Sequence, residues 1–343
     1  MGIRNAEIHS LLDVTMGRNP DGTQAKITEV LEKQNPLFHD MSFEEGNLDT
    51  GDRHEIRTKN ADAEWVGYND GISPSKGATR SVDEKAFYLE SEQFVERKLA
   101  IKSGNVGKYR EKKGVAHING LGDRFSEGVL YGNSAVNENQ VTGLMTRFNK
   151  IGDQVINAGG TGSKLRSILL VGWSPDTVTG IVSKGGYSGL QHLDTTANSN
   201  KGPDGHPIGD RIDDGTGRGK TILAYTDRWS LEAGISVKDP RYVVRAANID
   251  LATLSNDLST GVDLEDLMIE MLGRFGATSA DFSRVNATFY MPRELQTWFR
   301  RQEGKSKRSY LGWNEIGGAN IQTFDGAPIR RFDAMNVNES QVS

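Results

Sequence analysis

Residues 104–131, GNVGKYREKKGVAHINGLGDRFSEGVLY, carry the pattern on which the interpretation of the fold depends. Four apolar residues recur there at the three- and four-residue spacing of one helical face: Ile118, Leu121, Phe125 and Val129. Glycines interrupt the stretch, and each interior glycine destabilises a helix by about 1 kcal/mol relative to alanine. We nevertheless predict one long helix here, straight or bent.

Basic residues are grouped near the start of this predicted helix: Lys108, Arg110, Lys112 and Lys113. They could contact DNA phosphates, or they could form a solvated helix face or ion pairs with a neighbouring subunit. The residues alone favour the second alternative. Only Tyr109 accompanies the group, whereas a protein that binds single strands places several aromatic side chains among its basic residues.

Residues 50–95, which precede the helix, predict a long hairpin. Strand-like pieces around 54–58 and 64–68 lead to a turn, and a return strand follows over 79–94. The turn is rich in the residues that end strands, and we expect its tip to contact another subunit through Asp70, Gly71, Pro74, Lys76 and Gly77. Few large apolar residues lie in the middle, so the hairpin should project from the body.

The first 48 residues predict an extended arm with one short helix. Ile27, Val30 and Leu31 share a helical face, and Asn35-Pro36 should end that element. The apolar side chains that follow, within 36–47, show no period. They need a surface outside their own segment, and a neighbouring subunit is one candidate.

The remainder of the chain alternates strands, loops and helices. Strands are predicted over 167–173, 177–182, 221–225 and 241–249, with a polar loop at 195–219 of a length that is usual for a functional, mobile or contact segment. A helix over 264–275 should begin after the N-cap Asp263, and another should begin at Pro292. Two strands around Asp325-Gly326 close a late hairpin, so the fold class is α+β.

Composition excludes several classes of function. Of the 343 residues, 25% are charged and 36% hydrophobic, as in soluble globular proteins. The absence of cysteine excludes disulfides, thiolate metal sites and cysteine nucleophiles, and it fits a reducing compartment. A formal net charge of −5 does not suit a protein that wraps nucleic acid with its whole surface, so any contact with DNA should be local and weak.

Membrane and export signals are also missing from the pattern. The longest strictly apolar run, 168–171, is far shorter than the roughly 20 residues that cross a bilayer. The beginning, MGIRNAEIHS, shows no basic region followed by an apolar stretch, and Ala6 stands where a myristoylation signal needs Ser or Thr. We therefore expect no membrane contact and an origin in the cytoplasm.

No catalytic, cofactor-binding or metal-binding residue is predicted. The histidines show no pair at metal-ligand spacing: His9, His39, His54, His117, His192 and His206. Residues 213–221, DDGTGRGKT, resemble a phosphate-binding loop only at their end, because the carboxylate of Asp214 replaces the first glycine and would repel a phosphate. Ser188 lies in GYSG, which lacks the second glycine of a nucleophile elbow.

The order of these parts resembles the tailed-phage major capsid fold, also called the Johnson fold, and in particular the podophage capsid proteins of the epsilon-fifteen type. The resemblance covers roughly residues 26–339. It rests on seven short stretches in the family's order: NPL through GN at 35–47, LYGN at 130–133, TGL at 142–144, AGGTGS at 158–163 with Ser167, YVVR at 242–245 with NID at 248–250, FYMP at 289–292, and TFDGAPIR at 323–330.

The resemblance implies a division into four parts and a set of partners. Residues 1–48 would be the N-terminal arm and 49–95 the E-loop. Residues 96–133, with strands from 221–255, would be the peripheral domain containing the long spine helix, and 134–220 with 256–343 the axial domain. The spine helix faces the shell interior in this fold, which favours DNA contact for the basic group.

The same resemblance implies a structural protein without enzyme activity, built into hexamers and pentamers of an icosahedral phage head around double-stranded DNA. A scaffolding protein and a portal are the implied partners, with assembly in the host bacterial cytoplasm and a final place in the virion. The loop at 195–219 could meet a decoration protein or a neighbouring axial domain. Two rival classes are an encapsulin-type compartment shell, which would hold enzyme cargo, and a monomeric hydrolase using scattered Asp and His residues.

Overall fold

The computed structural model describes residues 36–186, 189–213, 219–255, 261–277, 282, 284–303, 311–316 and 319–343. The predicted helix at 27–31 and Ser188 lie outside these residues, and so does most of the stretch 213–221 that resembles a phosphate loop. The described part contains both helices and sheets, which confirms the α+β class. It divides into a smaller unit, Tyr88–Phe125 with Gly189–Leu231, and a larger unit, Gln34–Phe87 with Ser126–Ser188 and Glu232–Ser343.

The described helices are α1 (Leu37–Asp40), α2 (Arg97–Lys102), α3 (Val106–Tyr131), α4 (Leu144–Arg147), α5 (Leu264–Arg274) and α6 (Arg293–Glu303). The strands are β1 (Phe43–Glu45), β2 (Gly51–Lys59), β3 (Ala78–Glu96), β4 (Val155–Asn157), β5 (Leu165–Gly172), β6 (Val178–Val182), β7 (Gly189–Asp194), β8 (Asp210–Asp213), β9 (Thr221–Val237), β10 (Val243–Asp250), β11 (Ala287–Met291), β12 (Leu311–Ile316), β13 (Ala319–Phe324) and β14 (Ala327–Arg331).

The larger unit is built on a mixed sheet with the strand order β12-β13-β14-β11-β5-β10-β4. Its central strands β5, β10 and β11 are buried along their whole length. Strand β5 pairs antiparallel with both β10 and β11, while β11 pairs parallel with β14. These strands confirm the predictions at 167–173 and 241–249, and β13 with β14 confirms the late hairpin.

Helices α5 and α6 contribute to the core of this unit for reasons that lie in their sequences. Asp263 accepts hydrogen bonds from the backbone N–H groups of Glu265 and Asp266 at 3.0 and 3.3 Å, which satisfies donors that a helix start leaves free. The apolar face buries Met268 and Met271 in the main core, beside Phe299 of α6. Both predicted helices are therefore confirmed.

The described part of the predicted arm, from residue 36 onward, is anchored inside the larger unit. Leu37 and Met41 are buried in this chain, and β1 pairs parallel with β6, Phe43 opposite Gly180. The prediction that the apolar side chains of 36–47 need a surface outside their own segment is thus confirmed for Leu37 and Met41, and the larger unit of the same chain supplies that surface. Among the apolar side chains of the segment, Phe38 is exposed, with its ring stacked 6.5 Å from that of Phe43.

The smaller unit packs residues of α3 on the strands β3 and β9. Tyr109, Val95 and Tyr225 form part of its core. Gly114 is required in the helix because a Cβ there would come within 2.5 Å of the Trp229 ring. The long helix is confirmed at Val106–Tyr131. The prediction of one uninterrupted loop at 195–219 is wrong, because β8 lies within it and pairs with β9.

Candidate assembly surfaces

The hairpin of the larger unit ends in an exposed tip, residues 60–77. Strands β2 and β3 form its stem, paired from Gly51 opposite Lys85 to Lys59 opposite Ala78. Every residue from 60 to 77 is exposed and none belongs to a helix or strand. The prediction of a strand at 64–68 is therefore wrong, because that segment pairs with no strand among the described residues.

Large apolar side chains stand at this tip. Trp65 and Tyr68 are fully exposed, and Ile72 is exposed as well. The tip residues expected from the turn pattern are exposed beside them: Asp70, Gly71, Pro74, Lys76 and Gly77. Because side chains of this size rarely face water in a group, the tip has the composition of a contact surface.

A buried ion pair fixes the root of the hairpin. Both terminal nitrogens of Arg147 donate to the carboxylate of Glu84 on β3, Nη2 at 2.6 Å. The Nε of Arg147 donates to the carbonyl oxygen of Thr142 at 2.8 Å. Gly51 faces the same strand with a φ of 148°, and a Cβ there would lie 2.0 Å from the carbonyl oxygen of Glu84. The stem therefore leaves the larger unit from a close-packed base.

The basic group of α3 is divided by the structure. Lys108 is exposed, and Lys112 and Lys113 are partly exposed, with the Lys113 ammonium 5.8 Å from the centre of the Tyr109 ring. Arg110 forms ion pairs within the smaller unit, because its Nη2 donates to Asp227 at 2.6 Å and lies 2.9 Å from Asp194. Of the four predicted residues, Lys108 is the exposed one.

Asp227 is the centre of a polar cluster in the smaller unit. Its buried carboxylate accepts from Nε of Arg110 at 3.0 Å, from Gln93 at 3.2 Å, and pairs with His192 Nε2 at 2.8 Å. Burial alone would lower the pKa of Arg110, but its hydrogen bonds to Asp194 and Asp227 and the charges of these carboxylates raise it above its ordinary value. Burial alone would raise the pKa of Asp194, but hydrogen bonds from Arg110 and Thr196 lower it to about 2. The cluster joins β3, α3, β7 and β9.

A second polar cluster lies within the larger unit. The carboxylate of Asp40 accepts from the hydroxyl of Tyr290 at 2.8 Å and from Arg330 at 2.9 Å. The same hydroxyl accepts from Trp173 Nε1 at 2.8 Å, and burial raises the pKa of Tyr290 well above its ordinary value. This cluster connects α1 to the central sheet of the larger unit.

The described histidines and carboxylates do not form a metal-binding cluster. Within the described residues no set of three or more His, Asp or Glu side chains could hold a metal ion, and no described helix is both long and apolar enough to cross a membrane. Of the histidines described, His117 lies 2.6 Å from the Ser91 hydroxyl, and burial lowers its pKa. His54 lies 3.2 Å from the carbonyl oxygen of Val237.

Sequence reasoning missed the aromatic tip and both clusters. The presence of Trp65 and Tyr68 between turn residues could have indicated an exposed contact surface. The partners of Asp227 and Asp40 are up to 290 positions away along the chain, and no local pattern connects them.

Comparisons with known proteins agree over nearly the whole chain. The family model described as major capsid protein GP7 matches residues 19–343. No curated protein sequence matches closely enough to count as a relative. A chain in the near-atomic structure of bacteriophage epsilon15 is 25% identical and superposes with a TM-score of 0.72, covering 100% of this chain and 99% of that one.

Two further solved structures are more distant. The capsid of bacteriophage JBD30 is 13% identical, with a TM-score of 0.51 over 96% of this chain and 100% of that one. The holo-SrpI encapsulin complex from Synechococcus elongatus PCC 7942 is 9% identical, with a TM-score of 0.41 over 71% and 96%. The first shares the fold, whereas the second likeness is too slight to support an inference.

Proposed function

We propose that this chain, which belongs to the major capsid protein GP7 family, forms the hexameric and pentameric capsomers of an icosahedral phage head that encloses double-stranded DNA. It is a structural capsid protein with the tailed-phage major capsid (Johnson) fold, and its place is the virion capsid. We further propose that it has no enzyme activity and that it assembles in the host bacterial cytoplasm.

The exposed tip is the observation that carries the assembly mechanism. Trp65 and Tyr68 lose no surface to their own chain, so another molecule must provide the burial. Each Å² of apolar surface removed from water contributes about 25 cal/mol, and obligate assemblies bury roughly 2,000 Å² or more. A stem rooted on the Glu84–Arg147 ion pair presents the tip to a second copy at a fixed base.

The four-part division remains our proposal. Residues 1–48 form the N-terminal arm, 49–95 the E-loop, 96–133 with strands from 221–255 the peripheral domain, and 134–220 with 256–343 the axial domain. In this arrangement the tip residues Asp70, Gly71, Pro74, Lys76 and Gly77 belong to the E-loop. Strand β3 covers Ala78–Glu96, so the return strand of the hairpin ends near the proposed border at residue 95.

DNA contact is assigned to the lysines of α3. Lys108 is exposed and Lys112 and Lys113 are partly exposed, and Arg110 forms ion pairs with Asp227 and Asp194. With a net charge of −5 on the chain, contact with packaged DNA is local and weak, since affinity for the duplex grows with the number of phosphates neutralised.

A scaffolding protein, a portal and a decoration protein complete the proposed set of partners. The segment 195–213 supports a contact role, because most of its side chains are exposed or partly exposed. It is also ordered by its own bonds: Asp210 accepts from the backbone N–H groups of Ala197 and Asn198, both at 2.8 Å. An ordered surface loop can meet a partner with little loss of entropy.

Electron microscopy of the chain, expressed alone and with a neighbouring scaffold gene, tests the proposal. Closed shells, capsomer rings or tubes are expected, and particles purified from infected cells should contain nuclease-protected DNA. Host enzymes in place of DNA would identify a compartment shell of the encapsulin type. A monodisperse monomer under both conditions would contradict the assembly proposal and direct attention to a soluble enzyme.

A further inference from the structure

The last residues of the chain lie in the larger unit as an extended peptide lies in a receptor. Residues 337–343, here called the tail, form no helix, and their backbone makes a single antiparallel bridge at Glu339 to Leu165 at the start of β5. The N–H of Glu339 donates to the carbonyl oxygen of Leu165 at 3.1 Å. The N–H of Ile151 donates to the carbonyl oxygen of Ser343 at 3.4 Å, and the hydrogen bonds described below come from side chains of the body.

The carboxylate of Glu339 is held by three donors. Arg245 Nη2 donates at 2.8 Å, the Ser167 hydroxyl at 2.5 Å and the Tyr131 hydroxyl at 2.9 Å. Arg245 is only 2% exposed, and its other bonds go to the Ser167 hydroxyl and to the carbonyl oxygens of Met145 and Phe148. Glu339 is its one carboxylate partner among the described residues, so the body contains a buried cation that the tail neutralises.

The side chain of Asn248 forms hydrogen bonds with the tail backbone. The side-chain amide of Asn248 accepts from the N–H of Val342 at 2.9 Å and donates to its carbonyl oxygen at 2.8 Å. Asn248 adopts a φ of 60°, a left-handed conformation that asparagine tolerates better than most residues. The same amide donates to Asn157 at 2.8 Å, so all its hydrogen-bonding groups are used.

An apolar pocket receives the side chain of Val342, which is 3% exposed and packs with Val155 and Ala247. Arg166 adds bonds to the carbonyl oxygen of Val337 at 3.0 Å and to the Asn338 side chain at 2.6 Å. Ser340 and Gln341, between the two anchors, are exposed. Two anchors separated by exposed residues are typical of peptide recognition, in which backbone bonds give affinity and pockets give specificity.

We propose that the tail occupies a peptide-binding groove as a separable ligand, and that this groove recognises an extended segment in which a carboxylate is followed three positions later by an aliphatic side chain. Since the groove residues belong to β4, β5, β10 and the ends of α3 and α4, they are positioned by elements that do not include the tail. The inference does not rest on shell formation.

The test separates the tail from the full chain after folding. A site-specific protease sequence inserted between Asn336 and Val337, both exposed, allows cleavage of the folded protein. We expect the fragment to stay with the body on gel filtration and to exchange with a labelled synthetic peptide, VNESQVS. The peptide should also raise the melting temperature of the emptied body in proportion to the logarithm of its concentration.

Variant peptides measure the two anchors. Glu339→Gln and Val342→Asp should compete at least about tenfold less well than the parent, a loss of roughly 1.4 kcal/mol, whereas the control Ser340→Ala should compete equally. Three results would overturn the proposal: release of the fragment without rebinding, collapse of the body's unfolding transition when the fragment leaves, or equal competition by Glu339→Gln and Ser340→Ala.

Discussion

The hairpin tip and the central sheet of the larger unit represent opposite uses of apolar residues. In the sheet, Phe289 is fully buried by its own chain, with the Phe324 ring 5.9 Å away. At the tip, Trp65 and Tyr68 are fully exposed. The sheet is therefore stable without a partner, whereas the tip gains free energy only when another molecule covers it.

The same contrast holds for charge. Inside the larger unit, Arg245 and Arg330 are paired with Glu339 and Asp40, and in the smaller unit Arg110 is paired with Asp227. On α3, by contrast, Lys108 is exposed to solvent. Pairing inside and exposure at the contact elements are what a subunit needs if it must fold alone and associate later.

The largest expected effect is on the sheet. Phe289→Ala should lower the free energy of unfolding of the unassembled chain by about 3–5 kcal/mol, because the cavity it leaves cannot be filled. Urea unfolding followed by circular dichroism measures this change. Tyr68→Ala removes a ring from the tip and should change the same quantity by less than about 0.5 kcal/mol. Equal losses in the two variants would remove the distinction between the regions.

Assembly, unlike folding, should depend more on the aromatic side chains of the tip than on its other residues. Trp65→Ala should leave unfolding unchanged but weaken association by about 2 kcal/mol, as at other buried aromatic anchors of interfaces, which raises the critical subunit concentration roughly 30-fold. Light scattering across a concentration series measures that threshold. Lys76→Ala, at the same tip, serves as the control and should shift it little. Normal assembly of Trp65→Ala would show that the tip is not a contact.

The two kinds of basic residue on α3 give a comparison within a single helix. Arg110→Gln leaves the carboxylate of Asp227, which is 1% exposed, without its cation, and should destabilise the protein by about 3 kcal/mol. Lys108→Gln should change stability by less than about 0.5 kcal/mol. Differential scanning calorimetry distinguishes the two, and an equal effect of both would mean that Arg110 is as free as Lys108.

The smallest expected effect concerns pH. Burial lowers the pKa of His117 below 6.5, with the charge of Asp227 acting in the opposite direction. As the pH falls through the ordinary histidine pKa, the unfolded chain takes up the proton before the folded one, so stability declines from about pH 7 toward pH 5. His117→Gln should flatten this decline in melting temperature. An unchanged slope would assign the pH dependence to other groups.

Local patterns predicted the elements whose stability is local. Helix α5 was predictable because Asp263 caps it and its apolar spacing matches one face. Strand β10 was predictable because its sequence contains β-branched residues, and the structure buries all of it. The strand expected at 64–68 fails since pairing needs a second strand, and the alternation of side chains cannot show whether one is present.

The polar contacts that the sequence did not predict join residues that are far apart along the chain. Glu339 meets Tyr131 across 208 positions and Arg245 across 94. Their residue types carry no local signature, because a buried arginine and an exposed one look alike in a sequence. The basic group shows the same limit: Lys108 and Arg110 are two positions apart, yet Lys108 is exposed and Arg110 pairs with the buried carboxylate of Asp227.

Hydrogen exchange measured on the free subunit and on assembled particles tests the central claim most directly, namely that the tip is completed by another copy while the sheet is complete alone. The amides of 60–77 should exchange rapidly in the free subunit and become protected in particles. Those of β5 and β10 should be protected in both. Protection of 60–77 in the free subunit, or rapid exchange there in particles, would contradict the account.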